Sequence, residues 1–143
     1  KQGVLFFRVE LVGRPLTRLT DIEASFEFDT NTDNSPDATV KISATEQALY
    51  VGASRRSLAY MNLTERMFEF GVRWSDLGEP STLQFRAQLK DASTGTVDNA
   101  PDFDWLVVGK SPSRSSLTLG LLVWAITPQP LKSRHHQAPC PLM

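Results

Sequence analysis

Alternation of apolar and polar residues with a period of two recurs along most of this chain, and it leaves few folds open. In "TLQFRAQLK", Leu83, Phe85, Ala87 and Leu89 fall on one side, with Gln84, Arg86, Gln88 and Lys90 on the other. "DIEASFEFD" sets Ile22, Ala24, Phe26 and Phe28 against Glu23, Ser25, Glu27 and Asp29, and "RMFEFGVRW" turns Phe68, Phe70, Val72 and Trp74 inward. An extended chain with one face buried shows this period, because successive side chains leave a strand on opposite sides. Further strands are expected at Val4–Val12, Thr39–Ala44, Ala48–Gly52, Trp105–Val108 and Leu117–Ile126, about eight in all.

The connections carry Gly, Pro, Asn and Asp, as tight turns require: "VGRP", "TNTDNSPD", "SDLGEPS", "DASTGTVDNAPD" and "GKSPSRSS". Only "SLAYMNLTERM" is expected to form a helical turn or two, with Asn62 or Thr64 as its cap. Strands separated by turns, with no interleaved helices, predict an all-β antiparallel sandwich or jelly roll. At 143 residues the chain makes one such domain, over 1–127, followed by a Pro-rich extended tail over 128–143. It opens on Lys1 rather than Met, which suggests an excised or processed piece.

Charge excludes some partners. Fifteen basic and sixteen acidic residues leave a net charge of −1, and Arg8, Arg55, Arg56, Arg73, Arg86 and Lys90 are scattered. No basic field points to nucleic acid. The longest apolar run, Leu119 to Ile126, falls well short of the ~20 residues that span a bilayer, so no membrane insertion is expected. The single cysteine, Cys140, rules out an internal disulfide.

Within "SLTLGLLVWAI", Leu117, Leu119, Leu121, Val123 and Ala125 make one apolar face, and Leu122, Trp124 and Ile126 make the other. A strand apolar on both faces is covered on both. The sandwich covers the first; a packed loop, the tail or a partner subunit covers the second. A two-fold copy closes such a patch, so a homodimer or larger symmetric assembly is expected, with Leu122, Trp124 and Ile126 at the interface.

"FDTNTDNSPDATV" places Asp29, Asn31, Asp33 and Asp37 at the first, third, fifth and ninth positions of a calcium loop, with Asn34 at the bend. The twelfth-position glutamate is missing; Val40 stands there. The stretch resembles the short aspartate-rich loops of dockerin and thrombospondin type 3 repeats. It is read either as a weak calcium site, with a Kd of roughly 10⁻⁴–10⁻³ M, or as a polar hairpin of Asx turns.

"DNAPDFDWL" brings Asp102, Asp104 and Trp105 together, the carboxylate-plus-aromatic pattern of sugar-binding clefts. They are read as a ligand-binding loop or as an acidic entry to a strand. Catalysis is not expected: the only histidines, His135 and His136, lie in the tail, so a nucleophile in the strand region would lack its base. Asn62-Leu63-Thr64 fits the N-glycosylation pattern, which matters only in a secretory pathway.

The runs "GVLFFRVELVGRPL…DIEASFEFDTNTD" and "SSLTLGLLVWAITPQPL" are similar in layout to the projecting domains of small icosahedral RNA-virus capsid proteins. That resemblance implies a jelly roll that dimerises on the virion surface, handles calcium and contacts a host receptor. The other expectation is a carbohydrate-binding or adhesin-type module of an extracellular protein, with Asp102–Trp105 as its site.

Overall fold

The computed structural model describes residues 3–12, 19–64, 66–101, 104–108 and 122–125, with 11–12 and 122–125 described by backbone only. Among the described residues, eleven strands form two sheets. In chain order they are β1 (Val4–Val12), β2 (Ile22–Asp29), β3 (Ala38–Ile42), β4 (Gln47–Val51), β5 (Ser54–Ser57) and β6 (Tyr60–Leu63), followed by β7 (Met67–Arg73), β8 (Leu83–Asp91), β9 (Val97–Ala100), β10 (Leu106–Val108) and β11 (Leu122–Ala125). The larger sheet has seven strands, ordered β10-β8-β2-β3-β4-β5, with β9 also paired to β8; every pairing in it is antiparallel. The smaller sheet runs β11-β1-β7-β6, antiparallel except for the parallel β1–β11 pair. The all-β sandwich read from the alternation is therefore present.

The two inner faces meet through phenylalanine. Phe7 and Phe70 of the small sheet stack at 4.9 Å between ring centroids, and Phe26 of the large sheet lies 4.5 Å from Phe70. Phe28, Phe68 and Phe85 complete this buried set. Six rings supply large apolar area with few rotatable bonds, and offset or edge contacts add to the area term. The outward positions of β2 and β8 remain polar, and those strands carry the cleanest alternation.

Three expectations change. The segment read as a helical turn is strand β6 and its turn into β7; the Thr64 hydroxyl donates to the Met67 carbonyl instead of capping a helix. Ladder pairing with β7, from Tyr60↔Gly71 to Leu63↔Phe68, overrides its local pattern. Strands β5 and β9 were missed because neither buries an alternating face: Ser54–Ser57 is exposed throughout, and Val97 and Asn99 are exposed in β9. Asp29 was grouped with the outward residues of β2, yet it is 0% exposed, because its own hairpin folds over it.

The register of β11 bears on the expected interface. Leu122 pairs with Val9, Val123 with Glu10 and Trp124 with Leu11. The side chains of Leu122 and Trp124, which carry the expected interface, lie outside the described residues. Ile126 lies outside the described residues, as do Asp102, the histidines, Cys140 and the whole of 128–143.

Candidate functional site

Antiparallel pairing of β2 with β8 brings two outward rows into register. Glu23 faces Lys90, Ser25 faces Gln88 and Glu27 faces Arg86. Opposite charges at directly opposed positions attract: Arg86 Nε lies 2.6 Å from Glu27 Oε2, and Lys90 Nζ lies 2.8 Å from Glu23 Oε2. Between these ion pairs, Gln88 Nε2 donates to Asn99 Oδ1 of β9 at 3.2 Å. On the other flank β3 aligns Lys41 with Ser25.

Two hollows lie on this face. One, of about 300 Å³, is lined by Ser25, Glu27, Arg86, Gln88, Asn99 and Asp104, among others. The second, of about 270 Å³, includes Glu23, Lys41, Glu46 and Lys90. Ser25 and Gln88 line both, so the hollows adjoin in a trough along β2 and β8. An aromatic ring steadies a cation at each end. The Arg86 guanidinium sits 4.6 Å from the Trp105 ring centroid, and Lys41 Nζ sits 5.3 Å from that of Tyr50. The Tyr50 hydroxyl donates to Glu46, and that bond, then burial and the Glu46 charge, raise the phenol above its ordinary value against the opposing pull of Arg55.

Asp104 lines the first hollow, and Trp105 lies against its Arg86. Asp104 adopts a left-handed backbone, φ 71°, and its Oδ1 accepts the Trp105 N–H at 2.9 Å. The sequence missed the floor of the trough. Ser25, Glu27, Arg86 and Gln88 read as ordinary outward strand residues, and only register shows that their charges and amides match across strands.

The acidic hairpin is laced to its own backbone. Asp29 Oδ1 accepts the N–H groups of Asn31 at 3.0 Å and Thr32 at 2.6 Å, and its Oδ2 accepts that of Asn34 at 2.8 Å. Asp37 Oδ2 takes the Thr30 N–H and hydroxyl at 2.9 and 2.7 Å, Asn31 Oδ1 takes the Asp33 N–H, and Asp33 Oδ1 takes the Ser35 N–H. The two-residue spacing that matches a calcium loop also matches Asx turns, and here the oxygens bond to backbone N–H. Asn34 does take the bend with φ 65°. Among the described residues, no three His, Cys, Asp or Glu side chains are grouped to hold a metal. A second strand-ending aspartate repeats the device: Asp91, 4% exposed at the end of β8, accepts the Ser93 and Thr94 N–H groups at 2.7 and 3.1 Å.

Comparison with protein-family models, with curated proteins and with solved structures returned no match.

Proposed function

We propose that this chain is a non-enzymatic recognition domain displayed on a virion or other extracellular surface, and that the outer face of its larger sheet contacts the receptor or ligand. The trough along β2 and β8 is the observation that supports this reading. It is concave, carries charged and amide groups, and is built on two interior strands of the sheet, and a site on a rigid scaffold holds its groups in place before a ligand arrives. Its charges are tied into lateral ion pairs, Arg86 with Glu27 and Lys90 with Glu23, an arrangement suited to binding. None of the residues lining either hollow is a histidine or cysteine. The projecting-domain and adhesin settings both require such a face.

The test compares binding to cell surfaces by wild type and by Ser25→Arg, whose long side chain fills the junction of the two hollows. Loss of binding with an unchanged melting curve is expected. Retention of binding by a well-folded Ser25→Arg protein, or no surface binding by wild type, refutes the reading.

A further inference from the structure

From the chemistry of this trough, and resting on the reading of it as the contact face, we infer that its ligand is a neutral oligosaccharide lying along β2 and β8 across both hollows. The charge balance excludes the simpler alternatives. Glu27 and Asp104 against Arg86 leave the first hollow with one net negative charge, and Glu23 and Glu46 against Lys41 and Lys90 leave the second neutral. An anionic ligand gains no net attraction in either. Every cation that lines the trough is already held, by Glu27 and Trp105 for Arg86, by Glu23 for Lys90 and by Tyr50 for Lys41. An apolar ligand meets hydrocarbon from Ala24 and Ile42 in the second hollow, but carboxylates, amides and a hydroxyl line the first hollow and the junction.

Sugar hydroxyls suit the same groups. Each hydroxyl donates once and accepts twice, so it bridges a carboxylate and a cation or amide without charge of its own. The shared junction supplies such mixed partners: Gln88 and Asn99 bond to each other through one donor and one acceptor. No described residue bonds to Gln88 Oε1 or Asn99 Nδ2. Length argues for more than one ring. Glu23 to Glu27 covers four residue steps, ~13 Å at the rise of a strand, and the ion pairs mark the two ends.

The experiment is an amide chemical-shift titration of the whole chain, with a panel of neutral oligosaccharides of two to four rings and a matched panel bearing uronic or sialic acids. At least one neutral member should shift the side-chain amides of Gln88 and Asn99 together with the backbone of β2 and β8. Gln88→Ala should then weaken it about tenfold, the loss of roughly one to two hydrogen bonds. Arg8→Ala, on the other sheet, should change nothing. Shifts from acidic sugars alone, or from a protein partner footprinted on the trough, overturn the sugar assignment while leaving the contact-face reading intact. A neutral sugar that shifts residues elsewhere, or no neutral sugar that shifts the trough, also overturns it. Surface binding lost in Ser25→Arg together with a silent panel separates failure of this inference from failure of the broader reading.

Discussion

Replacing Asp29 should cost more stability than replacing any other residue of its hairpin. Its buried carboxylate accepts three backbone N–H groups at 3.0, 2.6 and 2.8 Å, and those bonds set the path from Asn31 to Asn34. Hydrogen bonds to a charged group contribute about 1.5–3 kcal/mol each when nothing replaces them. Residues 31–36 are exposed, however, so water takes over part of the loss in a loosened loop. Asp29→Ala should therefore cost about 3 kcal/mol, within the range of about 0.5–1.5 kcal/mol for each bond exchanged with water. Asp29→Asn keeps one acceptor oxygen but turns an amide donor toward a backbone donor, and should cost about half as much, on the order of 1.5 kcal/mol. In urea, with an m-value of about 2 kcal/mol/M, the alanine variant's midpoint should fall by about 1.5 M. A midpoint shift worth less than about 0.5 kcal/mol for Asp29→Ala would refute the view that this carboxylate organises the hairpin.

Other outcomes follow from the same coordinates. Because Asp29, Asn31, Asp33 and Asp37 already accept N–H groups, melting curves in EDTA and in excess calcium should coincide; a rise of several degrees with calcium would show that the loop rearranges around the ion. Gly71→Ala should destabilise by about 1–3 kcal/mol, since a Cβ there would meet Val4 Cγ1 at 2.9 Å and Tyr60 Cβ at 3.2 Å; denaturant midpoints check it. Phe70→Ala, which removes the ring between Phe7 and Phe26, should cost about 3–5 kcal/mol by the same measurement. The raised Tyr50 phenol contributes stability that is present in full below the ordinary value of 10.0 and is lost as pH rises through the higher folded value. Tyr50→Phe should accordingly show a shallower loss of stability than wild type above that pH, and parallel curves would count against the Glu46 bond.

Much of the sandwich is local information. Ile22, Ala24, Phe26 and Phe28 alternate with polar residues because an extended segment with one wet face tolerates no other order, so strand and inward face are readable together. Asp104 and Trp105 stood out as an acidic and aromatic pair; Asp104 lines a hollow, and Trp105 packs on the Arg86 guanidinium beside it. Strands β5 and β6 carried no such mark. They are held by backbone ladders to β4 and β7, and backbone hydrogen bonding leaves no trace in side-chain pattern. The acidic hairpin was visible as oxygen-rich chemistry, but the choice between an ion and a backbone N–H depends on where the chain turns.

Composition and period thus determined an all-β fold, its inward phenylalanines and its polar turns. Tertiary structure decided the trough. Glu27 and Arg86 are 59 residues apart and meet only because β2 and β8 pair in one register. A slip of one residue would turn every outward group of a strand inward, so the surface is set by pairing energy summed over the whole sheet.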